Sequence, residues 1–220
     1  MATFLARSYE RLRSHLPDLK EPVPPDRTEE VGEALLLLLR EKRSDANLCR
    51  DAVLVLGDIQ YAKAIAPLIE LAQTDTTPNA LKRACINSLR HFRTEDSIKA
   101  LMNFLGIHVS IHDKWVRQLA AQHLMILIRR LRRENEVEAH KYVHELRSHY
   151  LNSANTYTRM NTVIVLRLLG DKEVLPVLEA RLQKEQDILK NRPEDQGIPF
   201  VIRELEKAIS TFKDAAAPKE

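Results

Sequence analysis

The sequence predicts an all-α fold: a right-handed α-solenoid of antiparallel helix pairs, with an N-terminal two-helix segment and a C-terminal capping helix. Three observations carry that prediction. Residues 53–56 read VLVL and residues 163–166 read VIVL, and the match continues without a gap through Ile59 and Leu169, Ile65 and Leu175, and Leu68 and Leu178. Arg50, Arg83, Arg117 and Arg159 each open an apolar run, at intervals of 33, 34 and 42 residues. Laying residue 50 on residue 83 brings Leu56 onto Leu89, Ile59 onto Phe92, Ile65 onto Ile98, Leu68 onto Leu101 and Leu71 onto Phe104. Repeats of this length, filled by helical patterns, are units that bury their apolar faces only against their neighbours. With five glycines and 5% aromatics, the composition also suits helices better than sheets.

The elements follow in order. Residues 1–43 read as an N-terminal helical pair, 2–16 and 28–42, joined by a proline-rich connector (17–27). Pro22, Pro24 and Pro25 stiffen that connector and stop any helix before it. Residues 44–190 form the array. Its first helix, 49–59, carries Val53, Leu56 and Ile59 on one stripe beside Ala52 and Val55. Gly57 and Asp58 stand at its end, where positive φ is favoured. The partner helix, 62–73, contains Pro67, which predicts a kink. After the TDTTP loop, Pro78 opens the next helix as its first residue. That helix spans 79–92 and its partner 95–105. Residues 113–132 and 136–151 make a stretched third pair. The fourth is 155–169, a Gly170-Asp171 turn, and 172–190. NRPEDQGIP breaks the chain before a capping helix at 199–212, within a segment 191–213, and residues 214–220 read as a disordered tail.

The stretch RDAVLVLGDIQYAKAIAPLIELAQTD resembles a HEAT repeat of the bacterial phycobilin-lyase-like subtype, through Arg50, Ala52, Leu56, Gly57, Ala64, Ile65, Leu68 and Asp75. The second unit matches in part, with Arg90 where Gly57 stood. The fourth matches at Arg159, Leu169, Gly170, Leu175 and Leu178 but lacks the aspartate. The resemblance covers residues 45–190. It implies a buried ladder of Arg50, Arg83, Arg117 and Arg159 between units, with Asp45 and Asp75 as acid partners. It is specific for fold and not for function, because the family holds scaffolds, regulators, chromophore lyases and DNA-repair proteins.

Few residues group into chemistry. Glu136, His140 and His144 share one helical face, but no HExxH motif occurs, and zinc needs a fourth ligand or an open water position. The face reads as a wet side, and no metal or cofactor is expected. His144-Glu145 resembles the His-Glu pairs of the di-iron HEAT-repeat hydroxylases, which need such pairs in several repeats; here there is one. His108, His112, Asp113 and Trp115, in GIHVSIHDKW, read as a capping loop with Asp113 as N-cap. The alternative is a polar pocket, similar to the aspartate and aromatics of HEAT-like alkylpurine DNA glycosylases. Cys49 and Cys85 lie on apolar stripes and read as inert. Neither a Gly-rich phosphate loop nor GxSxG occurs.

Arg129, Arg130, Arg132 and Arg133 (RRLRR) form the sharpest charge feature. Glu134, Glu136 and Glu138 follow, so Arg130–Glu134 and Arg132–Glu136 pairs are expected on a solvated helix end. A net charge of +3 is below that of a dedicated nucleic-acid binder. The longest apolar run, Leu35–Leu39, is too short to span a bilayer, so no membrane partner is expected. The N-terminus lacks a signal-peptide pattern, and a cytosolic location is expected, with an Arg-rich mitochondrial presequence as the alternative. The functional expectation is a non-enzymatic scaffold or adaptor that binds a protein on the concave surface of its second helices. Lys63, Glu70, Lys99 and Asn103 are the residues expected there. The alternatives are a phycobilin-lyase-like chromophore-attachment factor and phosphate-backbone (nucleic-acid) binding through residues 129–133.

Overall fold

The computed structural model describes residues 2–42, 44–106 and 114–215, the side chains of 2–4 excepted. Among these residues there are eleven α-helices and no strand. They are α1 (Ala2–Leu12), α2 (Thr28–Glu41), α3 (Ala46–Asp58), α4 (Ile65–Gln73), α5 (Asn79–Leu89), α6 (Glu95–Phe104), α7 (Lys114–Glu134), α8 (Glu136–Ser148), α9 (Thr156–Leu169), α10 (Leu175–Asn191) and α11 (Ile198–Asp214). Short 3₁₀ turns, Pro25–Arg27, Ala62–Ala64 and Lys172–Val174, lead into α2, α4 and α10, and a fourth, Tyr150–Asn152, precedes α9. The chain divides into two compact units, residues 1–101 and 102–220.

In the first unit α1, α3 and α5 stack side by side, α2 lies against α3, and α4 lies against α5. Helix α3 therefore has neighbours on several sides, and its buried residues, Leu48, Cys49, Asp51, Ala52, Val53, Val55, Leu56 and Gly57, wrap most of its circumference. Asp45 caps it, accepting from the Asn47 and Leu48 amides at 3.1 and 3.0 Å.

Three sequence expectations are corrected here. Gly57 is not a positive-φ terminator but lies inside α3, where a Cβ would fall 2.6 Å from Ser88 Cβ. Its missing side chain lets α5 approach, and Ser88 Oγ donates to the Val53 carbonyl at 2.8 Å across that crossing. Positive φ falls instead on Gln60, at 52°. Pro67 does not sit mid-helix, because a 3₁₀ turn precedes α4 and places the proline in the first turn, where an amide has no intrahelical acceptor to lose. Pro78 is the N-cap of α5 and not its first helical residue, which is Asn79.

In the second unit α7, α9 and α11 stack, α8 lies against α7, and α10 lies against α11. The stretched third pair is present, with α7 at 21 residues. Asn155 caps α9 by accepting from the Tyr157 and Thr158 amides, and donates to the Gly106 carbonyl at 3.0 Å. Gly170 ends α9 with φ of 73°, the left-handed conformation for which glycine is suited. Helix α11 buries Ile198, Val201, Leu205, Ala208, Ile209 and Phe212 and runs to Asp214, so the expected tail lies largely in residues 216–220, outside the described residues.

Candidate functional site

The four repeat arginines fall into different environments. Arg159 is 5% exposed and grips Glu185, with Nε 2.5 Å from Oε1 and Nη2 3.1 Å from Oε2. Its Nη1 donates to the Ser153 and Ala154 carbonyls, both at 3.0 Å. Arg181 binds the same carboxylate through Nε at 2.9 Å and Nη2 at 2.6 Å. Two arginines thus share one fully buried glutamate and join α9, α10 and the turn before α9. Arg117 is buried with its guanidinium 4.2 Å from the centre of the Tyr157 ring, a cation–π contact. Arg50 is half-buried, 3.6 Å from Asp51 Oδ1, whereas Arg83 is exposed.

The acid partners are also corrected. Asp45 spends its carboxylate on the α3 cap, and Asp75 is exposed in a turn. Among the described residues the buried acids are Asp51 and Glu185, both fully enclosed. Asp51 accepts from Ser8 Oγ at 3.0 Å and from Arg11 through Nη2 at 2.7 Å and through Nε, which fastens α1 to α3. Tyr9 adds a hydrogen bond to Asp58 Oδ2 at 2.9 Å. Sequence reasoning missed Asp51, Glu185, Ser8 and Arg11. A signal existed for one of them: Glu185 stands 110 residues after Asp75, the interval that separates VLVL from VIVL.

The residues expected on the second-helix surface are exposed, each with local partners. Lys63 Nζ pairs with Glu29 and lies 3.0 Å from Glu33 Oε1. Tyr61, only 3% exposed, donates to Glu33 Oε1 at 2.6 Å. Burial, together with that hydrogen bond, pushes the Tyr61 hydroxyl up to about 12, while the hydrogen bonds from Tyr61 and Lys63 hold Glu33 below the usual carboxylate range. Lys99 pairs with Glu95 at 2.8 Å. Asn103 accepts from Tyr150 at 2.9 Å. Glu70 lines a recess of about 110 Å³ with Leu39, Cys49 and Leu71, a volume far below that of a drug-sized pocket.

The basic run ends α7. Arg129 donates to the Leu168 carbonyl, Arg130 is exposed, and Arg133 Nε donates to the Arg129 carbonyl at 3.4 Å. Arg132 turns to Asp171, 3.8 Å away, rather than to Glu136, and Arg147 of α8 meets the same carboxylate at 2.8 Å. Glu136 lies 3.7 Å from His140 Nε2. Among the described residues no three His, Cys, Asp or Glu side chains gather as a metal site. Both cysteines are buried, and burial pushes the Cys85 thiol up, so it stays protonated. Trp115 is half-buried, and His108, His112 and Asp113 lie outside the described residues.

A family model described as HEAT repeats matches residues 32–125, from within α2 to within α7. This match supports HEAT repeats over that stretch, and the described residues, helical and packed in neighbouring pairs, are consistent with a HEAT-repeat α-solenoid. No curated protein matches the chain. Among the described residues no helix is long and apolar enough to cross a membrane.

Proposed function

We propose that this protein is a non-enzymatic, cytosolic scaffold that binds a protein partner on the exposed faces of its second helices. The observation that carries the reading is the HEAT-repeat match over residues 32–125, on helices that stack in the manner of the repeat. HEAT repeats commonly mediate protein interactions, because stacked helix pairs present long continuous surfaces. The buried charges support it: Asp51, Arg159, Arg181 and Glu185 tie helix to helix and are spent on architecture. Lys63, Glu70 and Lys99 in the first unit and Asn103 in the second are the proposed contact residues, and Arg50, Ala52, Leu56, Gly57, Ala64, Ile65, Leu68 and Asp75 are the residues that favour the phycobilin-lyase-like subtype.

The test is affinity capture from host lysate, with nuclease-treated and untreated halves compared. The expected result is a stoichiometric protein that survives nuclease and is lost with Glu70→Lys and Lys99→Glu. A second reading, phosphate-backbone binding, is favoured by the exposure of Arg129, Arg130 and Arg133. Captured material that vanishes with nuclease would transfer the function to those arginines.

A further inference from the structure

At the end of α7 two guanidinium groups share one carboxylate. Arg132 and Arg147 converge on Asp171 from α7 and α8, with Nη2 atoms 3.8 and 2.8 Å from Asp171 Oδ2. That carboxylate is 12% exposed and also accepts the Glu173 amide at 3.1 Å through its other oxygen. One aspartate therefore faces two guanidinium groups. Arg132 Nε and Nη2 and Arg147 Nε are buried and make no hydrogen bond to the protein. Arg167, near the end of α9, repeats the pattern, with a buried Nε lacking an acceptor and Nη2 3.8 Å from Glu204. Arg132 and Arg147 remain 29% and 21% exposed, so each also opens to solvent.

Buried guanidinium N–H groups without acceptors are costly, and an excess cation in a partly desolvated place favours a second anion. The guanidinium fork suits a carboxylate or phosphoryl group, which it can bind through two parallel hydrogen bonds. The surroundings limit what can bring that anion. Glu134, Glu136 and Glu138 follow the basic run directly and are exposed, as is Glu173 beyond Asp171. These acids repel an extended polyanion more strongly than a single charged group. We infer that Arg132 and Arg147, set around Asp171, bind a single oxyanion, presented as a phosphorylated or acidic side chain of the protein partner. This rests on the protein-binding reading above and gives that partner a chemistry.

The experiment follows arginine Nε–H signals of the full chain by NMR, assigned through Arg132→Lys and Arg147→Lys. The probes are inorganic phosphate, N-acetyl-phosphoserine amide, N-acetyl-glutamate amide and a single-stranded oligonucleotide. Saturable shifts confined to Arg132, Arg147 and their neighbours are expected. Arg147→Gln should weaken binding about tenfold or more, the loss of a hydrogen bond to a charged group. Asp171→Asn keeps the amide-accepting oxygen, removes the competing charge and should tighten binding, so the site stays testable if an arginine variant fails to fold. Whichever monomer binds better identifies the anion's source. No saturable shift with any small probe overturns the site. Oligonucleotide binding with the steep salt dependence of phosphate contacts, unchanged in Arg147→Gln, also overturns it. Partner capture that persists in Arg132→Gln and Arg147→Gln removes the site from the interface while the scaffold reading stands. Phosphate binding without any captured protein does the reverse.

Discussion

Arg11 and Ser8 carry α1 onto Asp51, a carboxylate with no exposed surface, and most of that carboxylate's charge is met there. Removing one partner of a buried pair costs about 3–5 kcal/mol. Arg11 is 46% exposed and Arg50 remains 3.6 Å from Asp51 as a partial substitute, so Arg11→Ala should cost less, about 1–2 kcal/mol. Asp75→Ala, at an exposed turn, should stay within about 0.5 kcal/mol of wild type. Urea unfolding of both variants checks this, and equal costs would remove the Asp51 argument. At the α3–α5 crossing, Gly57→Ala drives a methyl group into Ser88 and should cost about 1–3 kcal/mol as overpacking. Adding Ser88→Gly, which removes the obstructing Cβ, should recover part of that loss in the same assay. The arginine-acid ladder was only half legible in the chain. The motif points to Arg159 but not to Arg11 or Arg181, and a carboxylate can approach from any neighbouring helix. Asp51 is met by α1, which lies outside the repeat pattern, whereas Asn161, 110 residues later, is equally buried and donates to the Leu105 carbonyl.

Helices are joined to one another through a few polar clamps, and each can be opened by itself. Glu185 is the shared counter-ion of two buried arginines between α9 and α10, so Glu185→Gln leaves both guanidinium groups without a counter-charge. The expected loss is about 3–5 kcal/mol, read from chemical denaturation, and it should exceed that of any exposed α10 acid such as Asp187→Asn. The Tyr61 clamp onto α2 is pH-dependent. Its hydroxyl titrates near 12 in the fold against 10.0 for a free tyrosine. Between those values the unfolded chain has given up a proton that the folded chain keeps, so stability falls as pH rises from about 10 towards 12. Tyr61→Phe should show a shallower decline over that window in denaturation curves taken at successive pH values; an unchanged slope would assign the decline to other groups. Helix existence and order were readable throughout, because apolar spacing of three and four survives in every element. The ends were less so: Gly57 looks like a terminator in the chain, and only the closeness of Ser88 shows that it is a contact surface.

Each of the two units has its own buried core, and in a stack of repeats a perturbation acts first on nearest neighbours. Trp115, the single tryptophan, lies in the second unit and reports on it alone, while far-ultraviolet circular dichroism reports on all helices. Arg11→Ala should therefore lower the dichroism midpoint more than the Trp115 fluorescence midpoint. Identical shifts would mean that the chain unfolds as one cooperative body.

The all-α class, the pairing of helices and the repeat itself are written in the chain. They depend on local periodicity and on apolar phrases that recur at fixed intervals. The identity of the buried acids, the close approach at Gly57 and the convergence of Arg132 and Arg147 on Asp171 came from tertiary structure. Each depends on residues far apart in sequence whose distance is set by how helices stack, and no local pattern encodes that distance.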